Sequence, residues 1–261
     1  MASVSVSTGN NYAANELLLY AAENDSLQGV KAALKNGADI DFEPPDSEIS
    51  YTGTALFIAS MRGHLDIVRL LLRKGASLVK RTAGEFTHLH AAASEGKTEV
   101  VDLLVQHGAT VDVRDGLQNT PLMTACGNNH IDTVRRLIEL GARPDLTDGY
   151  IPKRLGLEDG HYPFACRESI KLVQEAMKSK LLRCCNPKCG KPGYRKTLKL
   201  CGQCKLTRYC SRDCQIQHWS VGHKKCCGHD TCSGVQPETL KKLATELPDH
   251  VREQVYANLF T

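Results

Sequence analysis

Long apolar runs are missing from this chain. No stretch approaches the roughly 20 consecutive apolar residues of a membrane-spanning helix, and the N-terminal segment MASVSVSTGNNYAAN lacks the basic-then-apolar order of a secretory signal. The sequence therefore predicts a cytoplasmic or nuclear protein without a membrane partner. Aromatic side chains are also scarce, at 5%, with Trp219 the single tryptophan. Cysteine is nearly absent from the first 183 residues, where only Cys126 and Cys166 occur, while the other ten fall between Cys184 and Cys232. In a reducing compartment such a cluster reads as metal ligands before disulfides. Charge divides at the same place: residues 1–180 carry 19 basic and 23 acidic side chains, residues 181–261 carry 14 and 6. Two separate units are indicated.

What the first unit does have is a repeat. Gly-Ala occurs at Gly37-Ala38, Gly75-Ala76, Gly108-Ala109 and Gly141-Ala142, at intervals of 38, 33 and 33 residues. Counting back 21 residues gives starts at Glu16, Thr54, Thr87 and Thr120. In that register Leu18, Leu56, Leu89 and Leu122 align, as do Ala21, Ala59, Ala92 and Ala125, and Val30, Val68, Val101 and Val134. Apolar positions three and four apart describe two short helices per unit. Asp25, Gly63, Gly96 and Asn129 stand between the helices and belong to the residue types that best adopt a left-handed turn. The Gly of Gly-Ala closes the second helix as a C-cap. Neither helix can bury its apolar stripe alone, so the units must stack into a solenoid.

The segments TALFIASMRGHLDIVRLLLRKGA, THLHAAASEGKTEVVDLLVQHGA and TPLMTACGNNHIDTVRRLIELGA, with ELLLYAAENDSLQGVKAALKNGA as a weaker first copy, resemble the ankyrin repeat family. The resemblance implies four repeats over residues 15–147, preceded by a disordered N-terminus at 1–14. Pro44-Pro45 falls in the longer loop between the first two repeats. Ile170, Val173 and Met177 suggest a degenerate fifth repeat or capping helix within 148–180. In the family, partners lie against the hairpins and first helices, which here would bring in Tyr20, Ile58, Ala91 and Thr124; the competing reading is that these side chains only pack neighbouring repeats. His64, His90, His107 and His130 read as turn and hydrogen-bonding residues, and Cys126 as a small buried hydrophobe.

The second unit offers cysteine and histidine pairs at metal-ligand spacing: Cys184 with Cys189, Cys201 with Cys204, Cys210 with Cys214, and His223 with Cys227. Short intervals let two ligands from one turn reach one ion, and eight ligands suffice for two closed tetrahedral zinc sites. Closed sites are structural. Larger apolar side chains here are few (Tyr194, Leu198, Leu200, Leu206, Tyr209, Ile216, Trp219 and Val221), too few to hold the unit by burial. Structural zinc contributes about 10 to 16 kcal/mol in such peptides and would make up the deficit.

The spacing, and above all the phrase RYCSRDCQIQHW, resembles the MYND zinc finger family over 184–227. That resemblance implies interleaved pairing, with Cys184, Cys189, Cys210 and Cys214 on one zinc ion and Cys201, Cys204, His223 and Cys227 on the other. The first pair has four intervening residues instead of two, so Cys185 rivals Cys184. Similarly, His218 rivals His223 and Cys226 rivals Cys227. The family's usual His-x3-Cys ending favours Cys227 and leaves Cys185, Cys226 and Cys232 as spare thiols. MYND fingers take short proline-rich peptides, and the matching residues are Gln215 and Trp219; Trp219 is alternatively a core anchor beneath the zinc sites.

Beyond Cys232, Leu240, Leu243 and Leu247, then Val251, Val255 and Leu259, predict two short C-terminal helices within 233–261. The expected fold is thus mainly α: an ankyrin solenoid, a small two-zinc cross-braced MYND finger and short C-terminal helices. No segment is long enough for a catalytic domain of the methyltransferase kind that accompanies some MYND fingers, and the zinc deaminase signature is absent. The reading is a protein–protein adaptor without enzymatic activity or small-molecule substrate. A nucleic-acid-associated zinc protein, suggested by the positive finger, and an accessory subunit of an enzyme are the alternatives.

Overall fold

A computed structural model describes residues 7–44, 53–82, 84–147, 167–179 and 181–229. Four helix pairs follow in order: α1 (Ser7–Glu23) with α2 (Leu27–Lys35), α3 (Ala55–Arg62) with α4 (Leu65–Lys74), α5 (His88–Ser94) with α6 (Thr98–Gln106), and α7 (Pro121–Gly127) with α8 (Ile131–Glu139). The first helices α1, α3, α5 and α7 form one layer and the second helices the other, with each helix packed on its counterpart in the next repeat. No described helix is long and apolar enough to cross a membrane.

Local chemistry explains the unit. Thr54, Thr87 and Thr120 are N-caps whose side-chain oxygens accept from the backbone N–H of Phe57 at 3.3 Å, His90 at 3.4 Å and Met123 at 3.3 Å, satisfying donors that the helix itself leaves open. The turn residues Asp25, Gly63, Gly96 and Asn129 all have positive φ, as do the four C-cap-region glycines Gly37, Gly75, Gly108 and Gly141. Each helix pair is therefore bounded by two left-handed corners. The recurring Leu, Ala and Val positions are at most 2% exposed, and burying each Leu or Val is worth roughly 1.5–3 kcal/mol over leaving it in water. Cys126 lies in the same core.

Neighbouring repeats are also tied by polar contacts. The His64 ring donates to the Glu23 carbonyl at 3.1 Å, and His130 makes the same contact one repeat pair later, to Ser94 at 2.7 Å. His90 reaches the Asn119 carbonyl of the following repeat at 3.0 Å, while His107 bonds within its own helix to Leu103 at 2.9 Å. Asp41 accepts from the Ser77 N–H at 2.8 Å, and the equivalent Asp112 from the Arg143 N–H at 2.9 Å.

The N-terminus corrects one expectation. Residues 7–14, expected to be disordered, are the first half of α1. The helix continues backward because Glu16 is not a capping threonine and because upstream residues find partners: Ala14 is buried, Asn15 Oδ1 accepts from Asp39 N at 2.7 Å, and Tyr12 packs edge-on against Phe42. Residues 1–6, the Pro45 loop at 45–52, and the C-terminal helices read at 233–261 lie outside the described residues. Among the described residues the next helix, α9 (Arg167–Ser179), covers α8 with Ile170 and Val173 buried in the common core.

Two antiparallel ribbons begin the finger: β1 (Leu181–Arg183) with β2 (Pro192–Tyr194), and β3 (Lys199–Leu200) with β4 (Arg208–Tyr209). Then come α10 (Arg212–His218), a wide helical turn (Trp219–His223) and the single turn α11 (Lys224–Cys226).

Candidate functional site

Each ligand pair sits on a short, locally determined turn. Cys184 follows β1, and Asn186 shapes the first knuckle by accepting the N–H groups of Cys189 at 2.9 Å and Gly190 at 3.2 Å. Cys201 follows β3; its knuckle closes through Lys205 N to Cys201 O, 3.2 Å, with Lys205 in the left-handed region at φ 59°. Cys210 follows β4, and Ser211 caps α10 by accepting from Cys214 N at 3.2 Å, which holds Cys210 and Cys214 in one turn. His223 and Cys227 are joined by Cys227 N to His223 O, 2.7 Å.

These turns converge into two clusters, Cys184, Cys189, Cys210 and Cys214 in one and Cys201, Cys204, His223 and Cys227 in the other, with the ligand atoms of each within 4.8 Å of one another. The Sγ separations are 3.7 Å for Cys189–Cys210, 3.5 Å for Cys210–Cys214 and 3.6 Å for Cys201–Cys227, and Cys204 Sγ is 3.7 Å from His223 Nε2. A tetrahedron of sulfur ligands about 2.3 Å from zinc has edges of about 3.8 Å. The donor sets thus fit zinc in size and kind. All four residues of the second cluster are buried, whereas Cys189, Cys210 and Cys214 of the first are half-buried.

The three rivals stand elsewhere. Cys185 pairs with Arg208 through the backbone and directs its thiol at the Gly141 carbonyl, 3.9 Å away. Burial, reinforced by the Asp112 charge, pushes that thiol up to about 12. His218 stacks on His223 at 5.0 Å and meets the Tyr209 hydroxyl through Nδ1 at 2.9 Å; burial and then the neighbouring His223 hold it neutral, down to about 3. Cys226 is 1% exposed and borders a small cavity with Leu78, Thr87, His88, Leu89 and Val113 of the solenoid. Cys232 lies outside the described residues.

Gln215 and Trp219 are four residues apart and share a side of the α10 helix and its continuation. Trp219 combines both readings of its role: its ring contacts His223 edge-on, at 6.0 Å and 73°, yet stays 37% exposed. Ile216 beside it is 55% exposed. On the solenoid, Ile58 and Ala91 are buried and serve packing, Thr124 is half-buried, and Tyr20 is 68% exposed.

One feature had no signal in the sequence: the finger is seated on the solenoid. Gly222 abuts the His107 carbonyl and the Gly108 backbone, and the Arg183 carbonyl and Cys185 lie against Gly141. Arg81 donates to the His229 carbonyl at 3.3 Å, and Arg195 pairs with Asp145 at 3.7 Å. Asp112, beside this junction, is fully buried with Oδ2 unpartnered, and burial, partly offset by its bond from Arg143 N, raises its carboxyl to about 7. Arg208 is also buried, its Nε without a partner.

Comparison with known proteins agrees with this geometry. The family described as "Ankyrin repeats (3 copies)" matches residues 6–82 and 76–148, and the MYND finger family matches residues 184–227. Among curated proteins, ubiquitin carboxyl-terminal hydrolase 17 of Arabidopsis thaliana is 58% identical over 31 residues, 12% of this chain and 4% of that protein. Ubiquitin carboxyl-terminal hydrolase 15 of the same plant is 38% identical over 60 residues, 22% of this chain and 6% of its own length. The chain thus spans only a small fraction of either relative, and the likeness falls in the finger. Ankyrin repeats and MYND fingers are in general protein-interaction modules, and the finger binds zinc. With helix pairs, corners and matched residues in agreement over more than half its length, the chain belongs to the ankyrin-repeat family and carries a MYND zinc finger after the array.

Proposed function

We propose that this protein is a non-catalytic adaptor of the cytoplasm or nucleus whose finger captures short proline-containing segments while the ankyrin array engages a second protein. Cys184, Cys189, Cys210 and Cys214 hold one zinc ion in this reading, and Cys201, Cys204, His223 and Cys227 the other. Zinc supplies the cross-links that so small an apolar core lacks. Both ligand sets leave no position for substrate, so the metal is structural.

The observation that carries the peptide reading is Trp219: its ring is anchored against His223 and still open to solvent. A proline ring can stack on such a face, and the Gln215 amide offers a donor and an acceptor to the peptide backbone. Part of the finger's positive charge is already engaged, with Arg195 on Asp145 and Arg208 buried, which disfavours the nucleic-acid alternative.

Calorimetric titration with a proline-rich peptide tests the reading. Gln215→Ala should keep the zinc content and melting behaviour of the wild type but weaken binding about tenfold, the equivalent of roughly 1.4 kcal/mol. Equal affinities would remove Gln215 from the surface. Failure of the wild type to bind any member of a proline-rich library would end the peptide reading.

A further inference from the structure

In a repeat array, stability is a sum of each repeat's own term and its contacts with the repeats beside it. The finger departs from that rule by touching three successive repeats at one structural position, the corner after the second helix. It meets Leu78 and Arg81 of the second repeat, His107 and Gly108 of the third, and Gly141 and Asp145 of the fourth.

Two details make this a fitted contact. A Cβ placed on Gly222 would overlap the His107 carbonyl oxygen, and one on Gly108 would overlap the Gly222 backbone, so the two segments approach too closely for any side chain between them. The second detail is a substitution of partners. Asp41 and Asp112 each accept an N–H from the next repeat, whereas Asp145, at the same place in the fourth repeat, is bonded by the Arg143 guanidinium at 2.7 Å and also pairs with Arg195 of the finger at 3.7 Å.

The docking residues are also neighbours of the ligands: Cys185 follows Cys184, Gly222 precedes His223, and Cys226 precedes Cys227. Whatever fixes the ligands fixes the contact surface. We propose that the finger is a brace across ankyrin repeats two to four, so that zinc occupancy of the finger sets the stability of those repeats. This rests on the zinc reading above.

Hydrogen–deuterium exchange on the intact chain, with and without prior removal of zinc by a chelator, tests it. Zinc removal should speed exchange of the α4, α6 and α8 amides and of residues 108–113 and 141–146 by about tenfold or more, while the amides of α1 and α2 change little. Gly222→Ala should show the fast exchange even with its zinc retained. Zinc content measured in the same samples separates the failures. A wild-type protein without zinc would sink the metal reading, whereas zinc-loaded wild type whose α4, α6 and α8 exchange ignores chelation would overturn the brace. Should Gly222→Ala lose zinc, the wild-type comparison alone decides.

Discussion

The imidazole of His218 lies on that of His223, with centroids 5.0 Å apart and planes within 17° of parallel. One ring faces the cysteines of the second cluster, while the other is held by the Tyr209 hydroxyl. Two histidines that spacing alone leaves as rivals are thereby given separate tasks.

His223→Ala should therefore lose about one zinc per chain, whereas His218→Phe, which keeps a flat ring against His223, should retain the full complement. Elemental analysis of the purified variants distinguishes them, and loss of zinc from His218→Phe alone would reverse the assignment. Cys185→Ala and Cys226→Ala belong with His218→Phe and should keep their metal.

Leu89 is 2% exposed in the first helix of the third repeat, with a repeat packed on either side. Leu89→Ala should cost about 2 to 5 kcal/mol through the lost contacts and the cavity left behind. Urea denaturation measures this, and a loss below about 0.5 kcal/mol would be incompatible with the packing described.

Asp112 gives a signed pH effect. Its carboxyl is raised from 3.8 to about 7 by burial, so the folded state holds a proton that the unfolded chain releases. The stability this contributes is present below about pH 4 and is lost as the pH rises through about 7. Asp112→Asn keeps an oxygen for the Arg143 N–H and carries no charge. It should therefore be more stable than wild type at pH 8 by about 1 to 3 kcal/mol, after allowing for an unpartnered amide, and the advantage should vanish near pH 4. Melting curves of the pair over that range would refute the assignment if they ran parallel.

Much of this was legible in the residues because the signals are local. A left-handed corner demands Gly, Asn or Asp, and Asp25, Gly63, Gly96 and Asn129 mark those corners whatever surrounds them. Zinc knuckles likewise announce themselves by spacing, and the four pairs read from that spacing are residues that the fold gathers into two clusters. Signals that depend on distant partners were not legible. Ile58 and Ala91 carry no mark that distinguishes a groove residue from a packing one, since only the neighbouring repeat decides it. The helix at residues 7–14 has weak amphipathic character and depends on contacts such as Asn15 with Asp39. Cys185 and Cys226 looked superfluous because their partners, Gly141 and the pocket around Val113, lie far away in sequence.

The finger's grip on three consecutive corners bears on how this array can vary in length. Arrays of this kind lengthen or shorten by duplication and deletion of whole repeats, each of which shifts everything beyond it by one unit. Between the second repeat and the fourth such a change would carry Arg81, Gly108 and Gly141 out of step with His229, Gly222 and Cys185. Ahead of the second repeat it would move none of these contacts. The N-terminal end is thus where gene duplication can extend the protein, while the part under the finger is fixed in number.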